Sequence, residues 1–173
     1  TDPHLQDAHA AAPWLVIFDD HELENNWADE TPEVWDPNFL ARRVAAFQAY
    51  YENMPLRASS VPRGIDMQLY RRVGWGQLAT FHMLDTRQYR TDQPCGDKFR
   101  ADCAGRFDPS ATLTGAEQER WLINGFRESR ARWNLLGQQV FFAGVELKEG
   151  PATGVNPDAW DGYVANRDRI IAG

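Results

Sequence analysis

Only two cysteines, Cys95 and Cys103, occur in the 173 residues, and no histidine lies near either of them. A zinc site would want two further Cys or His at close spacing, so a pair of free thiols or a disulfide is the better reading. Positive charge is also in deficit: 18 Lys and Arg stand against 25 Asp and Glu, a formal net charge of −7. A chain of that sign is repelled by nucleic-acid backbones and by anionic membranes, which argues against a general binder of either. The basic residues come in short pairs, Arg42-Arg43 and Arg71-Arg72, that read as solvated faces. Long apolar runs are missing as well. The longest, Trp14-Leu15-Val16-Ile17-Phe18, is strand-sized and far below the ~18–20 residues of a membrane-spanning helix. No internal repeat, low-complexity stretch or linker divides the chain.

What is present describes a folded domain: 43% of residues are hydrophobic and 12% aromatic, which excludes disorder, and the length suits one core. The chain opens on Thr1-Asp2-Pro3 without an initiator Met or signal peptide and closes on Ile170-Ile171-Ala172-Gly173 directly after a helical pattern. Both ends look cut, so a single domain over residues 1–173 that is a piece of a larger protein is expected. Cys95 and Cys103 sit in a polar, turn-rich stretch that could bring them together. A bridge closing so short a loop is worth about 2.5 kcal/mol on the chain-entropy relation. It would also place the protein in an oxidising compartment, secreted or periplasmic.

Periodicity predicts alternating helices and strands. A short Ala-rich helix covers His4 to Ala12, and Pro13 leads into Trp14–Phe18, apolar on both faces like a central strand. Asp36-Pro37 reads as an N-cap with Pro at the first helical position, opening a helix whose apolar face is Leu40, Val44, Phe47 and Tyr51, ending near Asn53. Strands are expected over Met67–Val73 and Gln77–Asp85, joined by Gly74-Trp75-Gly76. Thr114-Gly115-Ala116-Glu117 looks like a capping box before a helix with Trp121, Leu122 and Phe126 inward. A short strand is expected over Gln139–Ala143, and a last helix from about Asp158 with Trp160, Val164 and Ile171 on one side. The interleaving favours an α/β fold.

The chemistry concentrates just beyond Phe18. Asp19, Asp20, His21, Glu22 and Glu24 place five groups able to bind a cation or move a proton within six residues, followed by Asn25-Asn26. In open α/β sheets ligands bind outside the carboxyl ends of strands. Carboxylates suit hard cations such as Ca²⁺, Asp with His also suits iron or zinc, and an imidazole serves as a general acid. On composition alone the stretch is equally a solvated acidic turn. Asp85-Thr86-Arg87 ends the second hairpin strand, where Arg87 has the reach for a bidentate contact to phosphate or for an ion pair with Asp85. His82 alternates within that strand as a packed residue would.

Asp19-Asp20-His21-Glu22 followed by Asn25-Asn26 resembles the D-D-H-E-x-x-N-N signature of the PhoD-like alkaline phosphatases and phosphodiesterases, a position similar to G-N-H-E in calcineurin-like metallophosphoesterases. Leu84-Asp85-Thr86-Arg87-Gln88-Tyr89-Arg90, Leu113-Thr114-Gly115 and Asp158-Ala159-Trp160-Asp161-Gly162-Tyr163 resemble the same family in the same order, over nearly the whole chain. The resemblance implies part of a four-layer α/β sandwich of two sheets flanked by helices. It implies hydrolysis of phosphate mono- or diesters with Ca²⁺ and Fe³⁺ as cofactors. Asp20, with Asp19, would ligate metal, His21 would contact phosphate and protonate the leaving oxygen, and Arg87 would neutralise phosphoryl charge. Glu22, Asn25, Asn26 and Asp85 would support metal or phosphate. The family's upstream G-D-x-x-Y-type segment and downstream G-D-x-H motif have no counterpart here, so a companion segment or chain would complete the site. Two alternatives stand beside this: a phospholipase D-like diesterase of the same fold, and a non-catalytic structural or interaction fragment.

Overall fold

The computed structural model describes residues 2–145 and 154–173, Arg100 by its backbone alone. Helix α1 spans Pro3–Ala11, capped by Asp2, whose carboxylate accepts the amides of His4 and Leu5. The following Trp14–Phe18 is extended but belongs to no strand, which corrects the expected central strand. Backbone carbonyls here are answered by side chains: Val16 O accepts from Arg71 Nη2 at 2.7 Å and Phe18 O from Gln139 Nε2 at 2.8 Å. A strand exists only where a neighbour completes its ladder, and among the described residues no such neighbour lies alongside. Trp14 and Leu15 are left exposed.

Helix α2 spans Phe39–Asn53, two residues later than Pro37 suggested. The N-cap is Asn38 and not the expected Asp36, whose Oδ1 accepts the Asn38 amide at 2.9 Å. The buried face is Phe39, Arg43, Phe47 and Tyr50, one position round from that expected, and Leu40 and Val44 are exposed. Arg43, expected in solvent, is 1% exposed. Its guanidinium lies over Trp27 and Phe47, 5.2 Å from each ring, and donates to Asp29 O at 2.8 Å. Such a site fits a long apolar stem ended by a planar cation, which hydrophobicity alone does not reveal.

Strands β1 (Arg71–Trp75) and β2 (Ala79–Met83) form an antiparallel hairpin with Val73 opposite Phe81. The strand continues through Gly74 and Trp75, so the turn begins at Gly76, two residues beyond the expected Gly74, and its φ of +53° favours glycine. A two-residue strand β3 (Arg100–Ala101) follows, then helix α3 (Gly115–Glu128). The expected capping box does not form. Thr112 Oγ1 instead accepts the Gly115 amide at 2.9 Å, while the Thr114 hydroxyl turns inward to Asn166. Strand β4 (Trp133–Gly137) pairs in parallel with β2, earlier than the strand expected at Gln139–Ala143. β5 (Gly154–Val155) pairs with β3. Helix α4 spans Val164–Ala172 after a 3₁₀ turn at Trp160–Gly162, and it buries Ile170 rather than Ile171.

The result is an α/β arrangement with a small mixed sheet, order β1-β2-β4. Two apolar clusters carry it. Phe18, Trp27, Phe39, Phe47, Tyr50, Met67 and Leu69 pack beneath α2, with Phe18 edge-on to Phe47 at 5.1 Å and to Tyr50 at 4.9 Å. The second joins Leu84, Leu113, Leu122, Trp160, Tyr163 and Ile170 between α3 and α4. Cys95 and Cys103 form a disulfide with Cα atoms 5.8 Å apart.

Candidate functional site

The stretch from Asp19 to Trp27 is a series of turns anchored at each end by a core aromatic, Phe18 at 1% exposure and Trp27 at 0%. Between those two rings His21, Glu22 and Asn25 are exposed, whereas Asp20 is buried. Inside the loop, carboxylates replace the missing backbone ladder. Asp20 Oδ1 accepts the His21 amide at 3.0 Å and its Oδ2 accepts the Asn26 amide at 3.1 Å. Glu22 Oε2 accepts the Asp19 amide at 3.0 Å. Asn26 has φ near 50°, a left-handed conformation that Asn tolerates better than most residues. Asn25 faces away and donates to Glu33 at 2.9 Å.

These contacts bring Asp20 and His21 together and leave them in opposite environments. Asp20 is 8% exposed, whereas the His21 side chain is 80% exposed, with Nε2 at 3.7 Å from Asp20 Oδ2. Asp20 is thus a fixed carboxylate, and His21 a ring free to meet a ligand arriving from solvent.

Arg87 is buried behind the acidic turn. It is 1% exposed, and both Nη atoms grip Asp158 at 2.8 Å each while Nε donates to Asp19 Oδ1 at 2.7 Å. Burial opposes its charge, but Asp158 and then Asp19 hold it firmly protonated. The guanidinium fork, expected to meet phosphate, is here engaged by carboxylates of the protein. Asp85 is likewise internal. Its Oδ1 accepts the Arg87 and Gln88 amides at 3.0 Å each, closing the turn after β2, and burial pushes its carboxyl upward despite those donors. The alternative ion pair between Asp85 and Arg87 does not form.

Asp19 is half-buried. Burial raises its carboxyl, and the neighbouring Arg87 only partly offsets this. Its Oδ1 is held by Arg87, and among the described residues none donates to its Oδ2. Asp20, His21 and Oδ2 of Asp19 are the polar groups that this turn offers to a ligand. Among the described residues no three His, Cys, Asp or Glu side chains converge to hold a metal. The residues present therefore do not amount to a metal site by themselves.

Sequence reasoning missed the partner that organises this region. Asp158 is 6% exposed and accepts from Arg87, from Arg90 Nη1 at 2.9 Å and from Gln93 Nε2 at 2.9 Å. Burial would raise its carboxyl, but Arg90 and Arg87 hold it below the usual carboxylate range. No spacing rule links residues 71 positions apart, although two arginines three residues apart after a buried strand were a signal that a carboxylate must meet them. His82 behaves as expected of a packed residue, at 0% exposure between Asn134 and Arg72. A cavity of about 600 Å³ against α3 and α4, lined by Glu119, Arg120, Arg127 and Arg169 among others, shares no residue with the acidic turn.

Comparison with known proteins follows the same line. A model of the PhoD-like phosphatases matches residues 1–173. Alkaline phosphatase D of Bacillus subtilis (strain 168) is 50% identical over 173 residues, covering 99% of this chain and 30% of that protein. A solved structure of PhoD superposes with a TM-score of 0.95 at 50% identity, covering 99% of this chain and 33% of that one. The chain thus spans about a third of the length of these relatives.

Proposed function

Because the chain belongs to the PhoD-like phosphatase family, we propose that it contributes the acidic turn from Asp19 to Asn26 to a site that hydrolyses phosphate mono- or diesters. The observation that supports this reading is the exposed imidazole of His21 beside the buried carboxylate of Asp20. A general acid must reach a substrate oxygen from solvent, and its neighbours must hold still while it does so. In this reading His21 contacts the phosphoryl group and delivers a proton to the departing alcohol oxygen. Asp20 keeps the imidazole oriented. Asn26 supports the turn, with its amide on Asp20, and Glu22 closes the start of the turn on the Asp19 amide. Arg87 and Asp85 act from within, Arg87 by fixing Asp19 and Asp85 by shaping the turn that presents Arg87.

The proposed cations are Ca²⁺ and Fe³⁺, with Asp20 and Asp19 as this chain's donors and the remaining ligands supplied by polypeptide outside residues 1–173. The four-layer sandwich, with this chain as a single domain in its middle, is part of the same proposal. A secreted or periplasmic location is supported by the disulfide between Cys95 and Cys103, and no helix among the described residues is long and apolar enough to cross a membrane.

The test uses the complete polypeptide with an aryl phosphate monoester, an aryl diester and a choline phospholipid, each before and after chelation. Hydrolysis of a water-soluble ester that chelation abolishes is the expected result. Turnover of the phospholipid alone would move the substrate to lipid head groups. Absence of turnover on all three would remove the hydrolase reading.

A further inference from the structure

A single buried carboxylate, Asp158, is tied to both ends of the acidic turn. At the first end Asp158 grips Arg87 through both carboxylate oxygens at 2.8 Å, and Arg87 Nε donates to Asp19 Oδ1 at 2.7 Å. At the second end Gln93 Nε2 bridges Asp158 Oδ1 at 2.9 Å and Asn26 O at 2.7 Å, and Arg87 Nη1 reaches Trp27 O at 3.5 Å. The turn lacks a strand ladder, and Asn26 is held in a left-handed conformation. Bonds from outside the turn are therefore needed to choose one conformation for it.

We propose that Asp158 is a positioning residue that sets the geometry of Asp20 and His21 through Arg87 and Gln93. The inference rests on the reading of Asp20 and His21 as site residues. Three features favour this role over that of an ordinary buried ion pair. First, the fork-to-carboxylate contact is bidentate, so it fixes direction as well as distance. Second, Arg90 completes the charge balance from the opposite side, donating to Asp158 Oδ1 and O, while the Tyr163 hydroxyl packs on Arg90 and donates to Thr91 O at 2.8 Å. Asp158 is thereby immobile. Third, the next acidic residue along the chain, Asp161, pairs with Arg167 at 2.9 Å and accepts the Val145 amide at 2.8 Å, and among the described residues it has no bond to the acidic turn. Two buried carboxylates three residues apart, Asp158 just before the 3₁₀ turn and Asp161 within it, thus differ in what they hold, which supplies an internal control.

The experiment compares Asp158→Asn with Asp161→Asn in the complete polypeptide. Asparagine keeps the shape of aspartate but turns an amide donor toward the arginines, so the fork is lost. Two readouts are needed. Amide hydrogen exchange reports the turn directly: in Asp158→Asn the Asn26 amide, bonded to Asp20, is expected to exchange about ten-fold faster while Leu122 in α3 is unchanged. Turnover of an aryl phosphate reports the site: kcat is expected to fall about a hundred-fold with KM moving within about three-fold, as misplacement by an ångström would produce. Asp161→Asn should do neither.

Unchanged exchange at Asn26, or equal acceleration at Asn26 and Leu122, would overturn the proposal, as would equal losses of kcat in the two variants. Should Asp158→Asn not fold, Gln93→Leu severs the Asn26 tie alone, and normal exchange at Asn26 in that variant would overturn the proposal equally. If the wild-type protein hydrolyses no phosphate ester, the functional reading fails while the exchange measurement still decides whether Asp158 sets the turn.

Discussion

Removing the disulfide gives a perturbation whose size follows from the structure. Cys95 and Cys103 are eight residues apart, and the loop they close carries β3, whose two residue pairs with β5 are its only ladder among the described residues. Beyond β5 the chain runs directly into Asn156, whose side chain accepts the Asp158 amide at 3.0 Å. Replacing Cys95 by Ser and Cys103 by Ala frees the loop in its open state. On the chain-entropy relation this favours opening by about 2.5 kcal/mol, with the buried Cys103 position kept apolar. Cleavage of a transiently opened loop follows the population of the open form when closing outruns cleavage. That energy then becomes a rise of about 70-fold in the rate at which trypsin cuts after the exposed Lys98. The assay is limited tryptic digestion of the complete polypeptide, wild type against the double variant, followed by mass analysis of the nick. A change under about three-fold would refute the reasoning, since it would show that packing of the loop, and not the bridge, holds it closed.

Two further outcomes follow from buried groups. Arg43→Ala strips donors from Asp29 O and Gln88 Oε1 and opens space between Trp27 and Phe47, costing about 3 kcal/mol, whereas Arg43→Met refills the stem and costs about half as much; equal urea midpoints for the two variants would contradict this. His82 is buried neutral, its pKa lowered from 6.5 first by burial and further by Arg72, against the opposing bond to Asn134. The unfolded chain therefore binds this proton first as pH falls, so the stability His82 contributes is full above the unfolded value and lost on acidification below it. Wild type should lose more stability than His82→Gln between about pH 7 and about pH 5, and parallel losses would contradict the assignment.

Elements whose pattern is local were legible. Helices α2 and α3 emerged from apolar spacing, the β1–β2 hairpin from its glycines, and the disulfide from two cysteines in one polar loop. Features that depend on distant partners were not. Trp14–Phe18 has the composition of a central strand, yet a strand requires a neighbour, and its carbonyls meet Arg71 and Gln139 instead. In sequence Arg43 looks like a surface residue, because charge is ordinarily solvated, and Arg87 like a partner for phosphate or for the nearby Asp85. Burial of each is made tolerable by partners far along the chain: Gln88 and the Asp29 carbonyl for Arg43, Asp158 for Arg87. The acidic motif itself was visible as a cluster, but its division into a fixed Asp20 and an exposed His21 was not, since that depends on which residues Phe18 and Trp27 carry inward.

The central claim is that the turn after Phe18 carries phosphoester chemistry, and His21 tests it most directly. Its side chain is 80% exposed, so His21→Ala removes the imidazole with little effect on packing. The measurement is kcat for an aryl phosphate ester in the complete polypeptide, with unfolding temperature recorded alongside. A fall of about 10²–10⁴-fold at unchanged unfolding temperature is the predicted result for loss of a general acid. Wild-type turnover in that variant would contradict the account and leave the acidic turn as structure alone.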